Sequence, residues 1–313
     1  MKKLITISIL VLIPLAMLQW LSSIVDKGLR YAKMPYSSLN DVYNGRVNAD
    51  VIMLGSSRAV FHISPRILDS VLQKNTYNIG VNGWSFHMQY TIFRLYMQHN
   101  KKPKYIIQVV DPNLFTDKAV FYKYENFLPY ASDTLVRRAT ARYQGSFTIP
   151  ELYFPLFKYN NHFDLVKKGV RLYFGAQDEP TGDYKGYYAH EAVWDSSFER
   201  FGDANPDRYY KERNPEIIHE FEQYLAFCKA NDIKVIMVFT PMYHEHLALI
   251  NHLDKIKGMF SGYSKQYDMP YLDYTADTVS RSKQNFFDSQ HLNKRGSTLF
   301  SYTLANDLKN YIH

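Results

Sequence analysis

The chain has 313 residues, enough to bury the core of one large domain or two small ones. At 46% hydrophobic and 21% charged it groups with globular sequences and not with disordered ones. Its 37 Lys and Arg against 30 Asp and Glu leave a formal charge of +7, which suits an anionic partner. No helix-turn-helix, zinc-finger or RNA-binding signature accompanies that charge, so nucleic acid is not expected as a partner. The single cysteine, Cys228, excludes an internal disulfide and a cysteine-based metal cluster. It falls on the apolar face of a helical pattern and reads as a buried structural thiol. No metal or other cofactor is called for.

In chain order, Lys2 and Lys3 precede an uncharged stretch, residues 4–25, which is 22 residues long. A membrane-spanning helix needs about 20. A cut after Ser22 or Ser23 puts Trp20 or Leu21 where a signal peptidase wants a small side chain. Residues 1–25 are therefore expected to be an uncleaved anchor in preference to a removed signal. Lys2, Lys3 and the amino group place the N-terminus inside, whereas Lys27, Arg30 and Lys33 pull the other way. Short Lys-Lys-apolar starts are typical of export signals, so the body is expected outside the cytoplasm, on the periplasmic or cell-surface side.

A polar juxtamembrane segment, residues 26–49, leads into a repeating strand, loop and helix pattern over residues 50–313. Val51 to Leu54 is a short apolar run ended by Gly55, which reads as a buried strand. Ser64-Pro65 opens a helix to about residue 73. A second strand covers residues 76–79, a helix residues 84–98, and a third strand residues 104–110. From Asp111 to Pro206 the rhythm fails. This insertion is rich in Tyr, Phe and Asn, carries Arg137, Arg138 and Arg142, and is expected to pack over the sheet or cover a site. The rhythm resumes with Asn214-Pro215 opening a helix to about residue 230. A strand at 233–239, a helix at 245–265, a strand at 270–274 and a helix at 293–311 follow. Five strands alternating with helices imply a three-layer α/β/α fold around a flavodoxin-like parallel sheet. Ligands of such sheets lie outside the carboxyl ends of the strands.

Two motifs fall at such ends. Gly55-Ser56-Ser57-Arg58 follows the first strand, where a serine at a sharp strand-to-helix turn exposes its hydroxyl. Asp288-Ser-Gln-His291 precedes the last helix. Imidazole is the usual base for a serine nucleophile, and a carboxylate three residues earlier can reach its second nitrogen. Either motif alone reads as a turn or a cap; together they can meet at one edge of a doubly wound sheet. His244-Glu245-His246 reads as a solvated helix start, because residues i and i+2 point apart and no third ligand is evident. Arg58 is left between an anion-binding role and a surface ion pair.

The strand-Gly-x-Ser start, Asn78-Ile-Gly-Val-Asn-Gly83 after the second strand, and Asp288-x-x-His291-Leu-Asn near the end resemble the SGNH (GDSL-type) hydrolases. The resemblance covers residues 50–115 and 210–313. It implies Ser57 as nucleophile, His291 as base and Asp288 as its orienting carboxylate, with the N–H groups of Ser57 and Gly83 in an oxyanion hole. The family's usual Gly-Asp-Ser is Gly55-Ser56-Ser57 here, a form resembling membrane-associated acylation proteins of that family. Its Gly-x-Asn-Asp block is replaced by Val110-Asp111-Pro112-Asn113, so Asn113, the candidate third donor, is shifted in register. The activity implied is that of an acyl ester hydrolase or an O-acyltransferase working on an esterified cell-envelope glycan, with a membrane-bound O-acyltransferase as a further partner. The alternative from a different class is a catalytically weak module of the same fold that binds a glycan or a partner.

Overall fold

The computed structural model describes residues 2–33, 37–179, 182–204 and 212–313; Pro206, where the sequence reading ends the insertion, lies outside them. In chain order, α1 (Lys2–Leu29) and α2 (Ser37–Tyr43) precede β1 (Val51–Leu54), α3 (Ser57–His62), α4 (Pro65–Leu72), β2 (Thr76–Asn78), α5 (Phe86–His99) and β3 (Tyr105–Val110). Next come α6 (Thr134–Thr140), α7 (Ile149–Tyr153), α8 (Phe163–Tyr173), the hairpin of β4 (Asp183–Tyr184) and β5 (Tyr187–Tyr188), and α9 (Ser197–Ala204). The last part holds α10 (Pro215–Ala230), β6 (Lys234–Phe239), α11 (His244–Ala248), α12 (Leu253–Tyr267) and β7 (Tyr271–Asp273). The hairpin of β8 (Phe286–Asp288) and β9 (His291–Leu292) and the helix α13 (Lys294–Leu308) complete it. The chain divides into two compact units, residues 1–40 with 118–181, and residues 41–117 with 182–313.

The larger unit is built on a five-stranded sheet in the order β2-β1-β3-β6-β7, and every pairing in it is parallel. β1, β2 and β3 are buried along their whole length, as a parallel sheet covered on both faces requires. Successive side chains of a strand point to opposite faces. Val51, Met53, Ile107, Val109, Ile236 and Val238 share one core with Leu68 and Leu72 of α4 and with Phe300, Leu304 and Leu308 of α13. The alternate residue Gln108 reaches Gln89 of α5 on the other face, at 3.2 Å. There Phe86 and Phe93 of α5 meet Phe221 and Tyr224 of α10 with ring centroids 4.8 and 5.2 Å apart. The result is the three-layer α/β/α architecture expected from the sequence.

Boundaries depart from expectation in three places. The helix expected at 245–265 is two helices, because the chain turns at residues 249–252 with His252 at φ +59° and Ile250 drawn into the core. The loop before the last helix is a hairpin. In the smaller unit α1 runs on past Val25 to Leu29, into the segment read as juxtamembrane. Val25, Leu29 and Ala32 are buried there with Leu128, Tyr159, Leu165 and Leu172, which come from the front part of the insertion. The insertion is thus divided between the units, its residues 182 onward belonging to the sheet unit. Among the described residues, α1 is the single helix long and apolar enough to cross a membrane, with mean hydropathy 1.4 over its best window.

Candidate active site

Gly55 ends β1 and turns the chain into α3. A Cβ at Gly55 would come within 2.8 Å of Val109 Cβ and 2.9 Å of Ala59 Cβ, so only glycine lets the turn sit this close to β3. Ser57 is the first residue of α3 and lies at the carboxyl end of β1, beside the switch point where the strand order reverses between β1 and β3. The flanking residues are pinned on both sides. Ser56 donates its hydroxyl to Asp111 Oδ2 at 3.0 Å, and Arg58 Nη1 meets the same oxygen at 3.0 Å. Arg58 and Asp111 are each only 3% exposed, so this ion pair is buried and not on the surface. Its second nitrogen, Nη2, donates to Gln290 Oε1 at 3.1 Å, tying the Ser57 turn to the β8–β9 hairpin.

That hairpin spells Asp-x-x-His. Asp288 and His291 face each other across a two-residue turn, as cross-strand neighbours. Ser57 Oγ lies 2.7 Å from His291 Nε2, and His291 Nδ1 lies 2.8 and 2.9 Å from the two carboxylate oxygens of Asp288. A carboxylate accepts only, which puts the imidazole proton on Nδ1 and leaves Nε2 to accept from the serine hydroxyl. Asp288 Oδ1 also accepts the backbone N–H groups of Gln290 and His291 at 2.8 and 2.9 Å. Burial works to raise the Asp288 carboxyl. The hydrogen bond and charge of His291, with the two backbone donors, outweigh it and hold the group below its ordinary value.

The turn residues between them are fastened as well. Ser289 Oγ is 2.9 Å from Nδ1 of His246, whose side chain is fully buried. His246 therefore departs from the solvated helix start read in the sequence. The loop after β2 comes alongside: Val81 N–H donates to the Gly55 carbonyl at 2.9 Å. Two residues on, Gly83 sits at φ +82°, a conformation that favours glycine. Asn113 is fixed locally. Its N–H donates to Asp111 Oδ1 at 2.7 Å and its carbonyl accepts from Thr116 Oγ1 at 2.8 Å. Ser57, His291 and Asp288 are thus brought together, the Gly83 loop lies beside them, and Asn113 is held through Asp111.

Several residues of the site were not singled out in the sequence. The His291 ring is stacked parallel to Phe287 at 5.4 Å and meets Phe61 edge-on at 5.7 Å. His190 stacks on the far part of this wall, 3.9 Å from Phe287, and Tyr188 lies edge-on to Phe61 at 6.2 Å. Phe287 adjoins Asp288 in the motif and so carried a signal. Tyr188 and His190 come from the insertion and carried none. Behind His291 lies the fully buried His62, with ring centroids 6.2 Å apart. Leu292 N–H donates to His62 Nε2 at 3.0 Å, so His62 Nδ1 bears the proton and donates to Thr240 Oγ1 at 2.9 Å. Burial first, and then the charges of His291 and Arg58, hold His62 well below its ordinary 6.5.

No family model matches the chain, and no curated protein matches it by sequence. Among solved structures it is similar to a candidate acylhydrolase from Bacteroides fragilis NCTC 9343, at 13% identity and a TM-score of 0.35, over 83% of this chain and 86% of that one.

Proposed function

We propose that the chain is a serine-dependent acyl-transfer protein, an ester hydrolase or O-acyltransferase, with Ser57, His291 and Asp288 as its triad. The observation that carries this reading is the unbroken relay from Ser57 Oγ through His291 to Asp288 at 2.7 and 2.8 Å. Ser57 Oγ attacks the ester carbonyl while His291 Nε2 takes its proton, and Asp288 stabilises the imidazolium. The N–H groups of Ser57 and Gly83, with Asn113, are the proposed donors to the tetrahedral oxyanion. The carbon–oxygen bond to the leaving alcohol then breaks, His291 returns its proton to that alcohol, and the acyl group stays on Ser57. Water or an acceptor hydroxyl, deprotonated by His291, attacks the acyl-enzyme and frees the serine. Which of the two attacks decides between hydrolase and transferase.

The aromatic wall of Phe287, His190 and Tyr188 beside His291 supports a ring-bearing substrate, and we infer an esterified glycan of the cell envelope. The exposed apolar part of α1 supports membrane anchoring, and Lys2 and Lys3 ahead of it support a catalytic body outside the cytoplasm. A fluorophosphonate probe tests the central claim: it should label the protein at Ser57, and p-nitrophenyl acetate should be turned over slowly, faster with a glycan acceptor present. Absence of labelling and of turnover, with glycan binding retained, would instead favour a binding module.

A further inference from the structure

The chain's excess positive charge is not spread evenly. Residues 1–40 and 118–181, which form the smaller unit, hold fourteen Lys and Arg against seven Asp and Glu. Their net +7 equals that of the whole chain, so the larger unit, with 23 of each sign, is neutral. The unit that contains the apolar helix is thus also the unit that anionic surfaces would attract.

The same unit exposes large apolar side chains along residues 149–163, besides Tyr31, Val120, Phe174 and others elsewhere in it. Ile149 and Tyr153 share a face of α7 and are 73% and 70% exposed; Phe154, Phe157 and Phe163 are 60%, 46% and 68% exposed. Lys167 Nζ stands 5.1 Å over the Phe163 ring, pairing a cation with an exposed aromatic. Aromatic and basic side chains together are what the headgroup layer of a bilayer favours.

The packing of α8 on α1 relates this stretch to the apolar helix. A Cβ at Gly28 would sit 1.8 Å from the Gly169 carbonyl oxygen and 3.0 Å from Tyr173 N, and one at Gly169 would meet Val25 at 2.7 Å. The two backbones touch there, and the register advances in the same sense along both helices. At about 1.5 Å per residue, Phe163 lies roughly 9 Å back from Gly169. It comes level with Trp20, which is 63% exposed and closes the exposed apolar run from Leu10 to Leu18.

We propose that the stretch 149–163 lies in the headgroup layer of an anionic bilayer that α1 crosses, so that the smaller unit rests on the membrane instead of hanging from a tether. The proposal rests on reading α1 as a membrane span, and the test separates the two. Full-length protein is reconstituted in phosphatidylcholine–phosphatidylglycerol vesicles with one added cysteine, from Phe154→Cys, Phe163→Cys or, as a comparison, the exposed Gln177→Cys, each carrying a bimane. The native Cys228 is fully buried, and the unmodified chain gives the labelling background. Brominated lipid should quench the bimanes at 154 and 163 at least threefold more than the one at 177, and aqueous iodide should show the reverse order. Leaving out phosphatidylglycerol should weaken the lipid quenching; unchanged quenching would overturn the assignment to anionic lipid. Tyr153→Cys, 70% exposed in the same stretch, replaces either variant should it aggregate. Equal iodide access at all positions overturns the proposal while carbonate-resistant membrane retention keeps the anchor. Release by carbonate overturns both. Shielding from iodide and lipid alike, with cross-linking between chains, overturns it in favour of a second copy as the occupant.

Discussion

Ser56 and Ser57 are adjacent and chemically identical, and what faces each hydroxyl sets them apart. Ser57 meets an imidazole at 2.7 Å; Ser56 meets the carboxylate of Asp111, which already has Arg58 as its counter-ion. Ser57→Ala should therefore abolish fluorophosphonate labelling, whereas Ser56→Ala should keep most of it and cost about 1 kcal/mol of stability for one lost hydrogen bond. Equal labelling of the two variants would exclude Ser57 as the reactive group. Asp288→Asn replaces an obligate acceptor with an amide that can present a donor to Nδ1, so turnover should fall by roughly 10³–10⁴. The His62 imidazole gives a separate, pH-dependent prediction. Its folded-state pKa is lowered, so the unfolded chain takes up the proton first, and stability should be lost as pH falls below about 6.5. One such proton is worth at most about 1.4 kcal/mol per pH unit. Thermal midpoints at pH 7.5, 6.5 and 5.5 should drop more steeply for the native chain than for His62→Gln, which starts lower; parallel slopes would remove His62 from the account.

At the scale of elements, β1, β3 and β6 of the sheet were legible as mainly apolar runs: Val51 to Leu54, for example, is bounded by Asp50 and Gly55. The meeting of Ser57 with Asp288 and His291 was legible too, since both motifs follow strands that a doubly wound sheet brings to one edge. The α11–α12 break was not, because apolar residues recur through Leu247, Ile250 and Ile256 without interruption. Nor was the burial of Arg58, because a cation at a turn looks solvated until the partner arriving from β3 is known. That partnership makes the β1–α3 turn depend on a long-range ion pair. Arg58→Met should leave Asp111 buried without its counter-ion, held only by the Ser56 hydroxyl and the Asn113 N–H, costing about 3–5 kcal/mol. Replacing both, as Arg58→Met with Asp111→Leu, should recover much of that loss in chemical denaturation while the labelling rate at Ser57 stays depressed. A double variant as unstable as the single one would show that the pair is not what holds the turn.

For the whole molecule, the sequence offers no local sign that residues 118–181 fold with the N-terminal helix, because contacts made across about a hundred intervening residues have no period to read. The consequence is that α1 has two parts with different duties. Leu10 to Trp20 is exposed, while Ser22, Ile24, Val25 and Leu29 are buried in the smaller unit. Asp26 adds polar ties there, accepting from Lys158 Nζ at 2.8 Å and from the Tyr159 hydroxyl at 2.5 Å. A chain beginning at residue 21 should therefore leave the membrane yet keep residues 118–179 resistant to limited proteolysis. A chain beginning at residue 30 loses the buried side chains of Val25 and Leu29, worth on the order of 3–6 kcal/mol together, and strips Lys158 of its counter-ion. Trypsin should then cut within residues 118–179 at least tenfold faster, while fluorophosphonate labelling of Ser57, which sits in the other unit, persists. Equal protease resistance of the two truncations would mean that the end of α1 is a passive linker and not part of that unit's core.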